Sequence, residues 1–150
     1  METAKKNLLC RGREAGDGTV VVGYYAELGF ETEDRDAMGN KKLVTAHVIV
    51  EGGRFRVVEE NSVESCTGMA DRMGELIFEG DRLRISRYPF TFGDKDNYYG
   101  KVFWNNELHM YGITAHRYKD SKAAGLSDDD VYPLHEFSSG DCEIIKEEDV

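Results

Sequence analysis

Four carboxylates, Asp71, Glu75, Glu79 and Asp81, fall within eleven residues. Oxygens of this kind, converging on one point, hold the divalent cations that nucleases use. On a single strand Glu75, Glu79 and Asp81 share a face at period two. No histidine or further acid stands at a supporting spacing, and the same residues read more simply as turn formers and strand flankers. No metal or cofactor is expected. A second set, Cys66 with His47, His109, His116 and His135, offers a thiol and imidazoles for nucleophilic catalysis. No nucleophile elbow or other local signature accompanies them, and His47 and His109 fall in expected strands, where they face solvent. No catalytic residue is assigned, and the chain reads as non-enzymatic.

The third set is a stretch in which cations and rings interleave: Arg82, Arg84, Arg87, Tyr88, Phe90, Phe92, Lys95, Tyr98, Tyr99, Lys101, Phe103 and Trp104. Small barrels that bind single strands stack bases on such rings and track phosphates with such cations. Arg82, Arg84, Arg87, Tyr88, Tyr98 and Trp104 are the candidate binding surface. The competing reading places several of the rings in the core, where strand alternation sends them.

Charge weighs against a nucleic-acid partner. The chain of 150 residues carries 29 acidic and 19 basic side chains, a formal net charge of -10. Such a molecule repels phosphate backbones over much of its surface. The distribution is uneven: residues 82–104 hold five Lys/Arg and two Asp/Glu, whereas residues 105–150 hold four and eleven. A protein partner is therefore the first expectation, and a single-stranded nucleic acid bound by 82–104 is the alternative. A homo-oligomer is compatible with both. Cys10, Cys66 and Cys142 are too far apart and too few for a disulfide framework or a paired-ligand zinc site, and read as small hydrophobes. No apolar run is long enough to span a bilayer, and Met1–Lys6 leads into no signal-peptide core. A cytoplasmic location is expected.

The elements that must position these groups are strands. Leu8–Glu14, the turn Ala15–Gly18 and Thr19–Leu28 open the chain, and Val20, Val21, Val22, Tyr24 and Tyr25 favour a pleated surface. Residues 31–42 are charged and read as an exposed loop. Leu43–Val50 and Arg54–Val58, joined at Gly52-Gly53, read as a hairpin. Glu75–Ile85 is a strand region broken at Gly80-Asp81, and 88–96 a long extended loop. Tyr98–Trp104 and Glu107–Ile113 flank Asn105-Asn106, which suits a two-residue type I′ turn. Lys119–Asp130 is the one helix candidate, with Ser127 before three aspartates able to cap a turn. Val131–Leu134 and Cys142–Lys146 close the chain. The fold class is all-β, mainly strands with one short helix, as a sandwich or barrel.

Residues 67–81, Thr-Gly-Met-Ala-Asp-Arg-Met-Gly-Glu-Leu-Ile-Phe-Glu-Gly-Asp, resemble the signature of the YopX family of bacteriophage and prophage proteins. Thr67, Gly68, Asp71, Gly74, Ile77, Glu79, Gly80 and Asp81 match it. Arg11-Gly12-Arg13, Val22-Gly23-Tyr24-Tyr25, His47–Val50 and the stretch from Tyr132 to Ile145 are also similar to family members. The resemblance implies a phage or prophage origin, a β-rich N-terminal unit over 1–66 and an SH3-like barrel over 67–150, the two able to share one core. It implies no reaction, since the family's function is unknown. The physics of the signature is that of a turn, a strand and a turn. Asp71 can accept a backbone N–H two residues on, and Gly74 and Gly80 can take positive φ.

Overall fold

The computed structural model describes residues 9–92, 95–119, 121–126 and 130–146, with Phe92 and Lys95 as backbone only. The chain is all-β and divides into two compact units, residues 1–65 and 66–150. The expectations on Met1–Lys6, Leu8 and the Ser127 cap lie outside the described residues.

In the first unit four strands, β1 (Leu9–Arg13), β2 (Val20–Arg35), β3 (Lys41–Glu51) and β4 (Arg54–Val57), form an antiparallel sheet in the order β4-β3-β2-β1. The start of β5 (Glu64–Ala70) pairs with β1 through Ser65 opposite Cys10. The β3–β4 turn is the expected one, with Gly52 and Gly53 at φ 55° and 81°, the left-handed pair a two-residue hairpin requires. One side of the sheet buries Val21, Ile49 and Val58, with Val63 packed against them.

Residues 31–42 are not a loop. The β2–β3 ladder continues through Phe30 opposite Val44 and Glu31 opposite Leu43, shifts register, and ends with Arg35 opposite Lys41. Only Asp36–Asn40 turns. The side chains at this end of the ribbon are nearly all exposed and carry none of the burial alternation that marks a strand. The turn is closed by Asp36, whose Oδ1 accepts the N–H groups of Met38 (2.8 Å) and Asn40 (3.0 Å).

In the second unit β6 (Leu76–Phe78) pairs with the later part of β5. A five-stranded antiparallel sheet follows, from β7 (Arg82–Ile85), β10 (Tyr98–Asn105), β11 (Met110–Arg117), β12 (Val131–Pro133) and β13 (Cys142–Ile145), in the order β12-β11-β10-β7-β13. Between β7 and β10, residues expected as a loop form a short ribbon, β8 (Thr91–Phe92) with β9 (Lys95–Asp96). Ile77, Leu83, Ile85, Phe90, Tyr98, Val102, Ile113, Leu134, Phe137 and Cys142 make one core.

Two further expectations are overturned. Asn105-Asn106 does not form a two-residue turn. The strands are joined by four residues, 106–109, and the Asn105 side chain accepts the N–H groups of Glu107 (3.0 Å) and Leu108 (3.1 Å). The left-handed residue is His109, at φ 51°, rather than an asparagine. Among the described residues of 119–130 there is no helix. The Tyr98 hydroxyl donates to the Ala123 carbonyl (3.1 Å) and accepts the Leu126 N–H (3.4 Å). Those are backbone groups a helix would bond internally, and Gly125, at φ 132°, breaks the segment. Among the described residues the helical content is instead three 3₁₀ turns, at Glu60–Ser62, Leu134–Glu136 and Ser139–Asp141.

The residues 67–81 do their work in backbone hydrogen bonds. Asp71, 4% exposed, uses Oδ1 to accept the N–H groups of Met73 and Glu75 (2.9 Å each) and Oδ2 to accept that of Ile144 (3.1 Å). The Arg72 N–H bonds the Cys142 carbonyl (2.9 Å). β13 lies at an edge of its sheet, and Asp71-Arg72 covers that edge. Asp81 Oδ2 accepts the Phe78 N–H (2.8 Å), closing a turn in which Gly80 sits at φ 90°. Glu75 precedes β6, and Glu79 and Asp81 follow it, so these three acids do not share one strand face.

Burial disfavours the charged form of Asp71, but the N–H groups of Ile144, Glu75 and Met73, with Arg72 nearby, outweigh it and hold the carboxyl below the usual range. A depressed folded-state value means stability that is present above the unfolded value and lost as pH falls through the folded one. In Asp71→Asn the amide nitrogen cannot accept the Ile144 N–H, so the variant should lose roughly 1–3 kcal/mol at neutral pH. In urea melts the gap from the parent should be constant at neutral and mildly acidic pH and shrink below about pH 4. A gap that widened in acid would contradict the assignment.

Candidate binding face and cleft of the second unit

Residues directly opposite in an antiparallel pair share a face. In the five-stranded sheet, Tyr99 stands opposite Arg84 and His116, and Lys101 opposite Arg82 and Thr114. Glu143 stands opposite Arg84 and Ile145 opposite Arg82. These residues form the sheet's outer face, while Leu83, Ile85, Tyr98, Val102, Ile113 and Ala115 point into the core.

At the centre of this face three rings meet. Tyr99 stacks on His116 with centroids 5.5 Å apart and leans on Tyr118 at 5.3 Å. All three are half-buried. His116 Nε2 lies 2.9 Å from the Thr114 hydroxyl. Arg84 flanks the rings and is held between Asp96 (3.5 Å) and Glu143 (3.6 Å). Glu143 also binds Arg72. The face thus combines aromatic surface with one arginine, Arg84, whose charge is matched by carboxylates, and with the further cations Arg82 and Lys101.

The six residues taken from the sequence as one surface separate here. Arg82 and Arg84 lie on the outer face. Arg87 anchors the C-terminal turns, donating to the Glu136 carbonyl (2.9 Å), lying 3.8 Å from Asp141 and covering the Phe137 ring at 5.8 Å. Tyr88 is 75% exposed, beside a cis bond to Pro89. Tyr98 is buried and belongs to the core, because its position in β10 is one residue out of phase with the outward rings. Trp104 is likewise turned away from Arg82 and Arg84, and meets Tyr111 edge to face at 4.9 Å. The rings that cluster beside Arg84, Tyr99, His116 and Tyr118, required knowledge of the register. Two of them lie beyond residue 104.

Trp104 lines a cleft of about 250 Å³ with Thr67, Met69, His109, Met110, Tyr111, Leu134 and His135. Its hydroxyls are turned to the backbone: Tyr111 donates to the Cys66 carbonyl (3.1 Å) and Thr67 to that of Ile77 (2.8 Å). What remains open is apolar and imidazole surface, suited to a side chain or small ring rather than to an anion.

The groups that could serve as nucleophiles or bases are constrained. All three cysteines are buried thiols. Burial, with Asp141 and Asp71 nearby, pushes the Cys142 thiol up to about 11. His47 does not simply face solvent: its Nδ1 lies 2.6 Å from the Tyr25 hydroxyl and its Nε2 3.5 Å from Glu60. Tyr25 also donates to Glu27 (2.9 Å), and burial together with that carboxylate raises its pKa well above the ordinary phenol value. A phenol held protonated in this way braces the sheet and is not a base. Among the described residues no three His, Cys, Asp or Glu side chains are grouped to hold a metal ion.

The Tyr118 hydroxyl is buried and makes no hydrogen bond of good geometry, although Arg84 lies beside it. Removing a buried polar atom that lacks a good partner costs little. Tyr118→Phe should therefore hold the melting midpoint or raise it slightly, whereas Tyr118→Ala should destabilise by about 3 kcal/mol through loss of the ring. A marked loss in the Phe variant, read in thermal melts, would mean that Arg84 depends on that hydroxyl.

No family model, no curated protein and no solved structure matches the chain.

Proposed function

We propose that this is a small non-enzymatic binding protein, a phage or prophage accessory protein of the YopX type, whose second unit docks another protein on the outer face of its five-stranded sheet. The observation that carries the reading is the ring cluster Tyr99, His116 and Tyr118 beside an arginine held by Asp96 and Glu143. Aromatic residues and arginine are the types enriched at the centres of protein interfaces. A charge-balanced arginine contributes hydrogen-bond geometry without an attractive field for phosphate. The antiparallel run from β7 to β13 supports the SH3-like barrel that the family resemblance implies for 67–150. No described helix is long and apolar enough to cross a membrane. A cytoplasmic partner of host or phage origin is part of the same proposal.

The second reading is a single-stranded nucleic acid on this face. It draws on Arg82 and Lys101, which stand opposite each other beside the rings. The net charge of -10 opposes it.

Fluorescence anisotropy with labelled single-stranded DNA and RNA across a salt series separates the two. A nucleic-acid face would lose affinity with a slope near −0.7 per phosphate contact, and truncating a stacking ring would cost about 1–3 kcal/mol per base. The expected outcome is no binding at physiological salt. Nuclease-treated lysate of the host, with and without phage induction, should yield a protein retained by the parent and lost with Tyr99→Ala. Micromolar oligonucleotide binding at physiological salt, abolished by Arg84→Glu, would instead put the nucleic-acid reading first.

A further inference from the structure

The first unit buries one side of its sheet and leaves much of the other exposed, although Val48, on that second side, is itself buried at 2% exposure. Cys10, Val21, Tyr25 and Ile49 lie on the covered side. On the opposite side β2 presents Val20, Val22, Tyr24, Leu28 and Phe30, and β3 presents Val44 opposite Phe30 and Val50 opposite Tyr24. β4 adds Phe55 opposite Val50, and Val57 opposite Val48. Tyr24 is 61% exposed, Phe55 64%, Phe30 50%, Val20 51% and Val57 50%. No charged side chain interrupts these three strands on this side between Val20 and Phe30 of β2. Arg11 and Arg13 on β1 border it.

We infer that this apolar face is the interface between two copies of the chain. Area is the first argument. The three rings alone expose roughly 350 Å², taking about 200 Å² per aromatic side chain. The aliphatic residues bring the face to roughly 600–700 Å², close to the ~800 Å² per partner of a standard interface. A monomer seldom exposes so large a contiguous apolar patch.

Charge is the second argument. Two molecules of net charge -10 repel each other, and the stretch of β2, β3 and β4 that carries no charge on this side is where they can meet at least cost. Shape is the third. Sheets stack face to face when their twists match, with strands about 30° apart, and a second copy brings an identical twist. An apolar face has no charge pattern that would need an opposite one, so it complements itself about a two-fold axis. Edge-to-edge pairing is disfavoured at β4, because Arg54 and Arg56 alternate with Phe55 and Val57 along that edge. The inference does not rest on the outer face of the second unit.

Sedimentation equilibrium of the full chain over a concentration series tests it. The parent should weigh twice the chain mass at micromolar concentration, and Phe55→Glu should halve that mass. Phe30→Lys, on a different strand, should do the same, and circular dichroism should show both variants folded. Arg54→Glu, on the opposite side of β4, should stay dimeric. A parent that is monomeric at every concentration would overturn the inference. So would a dimer that survives folded Phe55→Glu and Phe30→Lys.

Discussion

Much of the second unit depends on one buried carboxylate. Asp71 closes its own loop with one oxygen and receives the Ile144 N–H from β13 with the other. Hydrogen bonds to a charged acceptor contribute about 1.5–3 kcal/mol each, and burying a carboxylate without them would be prohibitive. The tie has consequences beyond the loop. Arg72, the next residue, bonds the Cys142 carbonyl through its backbone and Glu143 through its side chain. Glu143 in turn holds Arg84, which stands opposite Tyr99. A local turn is thereby connected, bond by bond, to the face proposed for binding.

The same loop occurs twice in the chain. Asp36-Ala37-Met38-Gly39-Asn40 and Asp71-Arg72-Met73-Gly74-Glu75 share the order Asp, any residue, Met, Gly. In each, the Asp Oδ1 accepts the N–H groups two and four residues on, and the glycine sits at φ 82° or 84°. Only Asp71 is buried, and only Asp71 reaches an outside strand. The repetition separates what the motif does by itself, which is to turn a chain between two strands, from what its position adds. It is the strongest argument that the carboxylates of 67–81 are turn formers.

Most strands were legible from β-branched runs and glycine turns, because local chemistry dictates both. The turns at Gly52-Gly53 and Gly80 needed only a left-handed backbone, which sequence displays openly. The extension of β2 and β3 through 31–42 was not legible, because an unpacked ribbon leaves no alternation of burial. Nor was the absence of a helix over the described part of 119–130, which follows from a hydroxyl on Tyr98 more than twenty residues away. The candidate face was half legible. Arg82 and Arg84 lie on the outer face, whereas Tyr98 and Trp104 are one residue out of register with it. His116 and Tyr118 join the face only through the pairing of β10 with β11.

Amide hydrogen exchange at Ile144 tests the tie most directly. Its N–H points to Asp71 instead of into the β7–β13 ladder, so among the described residues that carboxylate is its hydrogen-bond partner. The expected result is exchange as slow as that of core amides such as Val102, with selective acceleration at Ile144 in Asp71→Asn. Exchange at the rate of an exposed amide in the parent, with Val102 protected, would contradict the account.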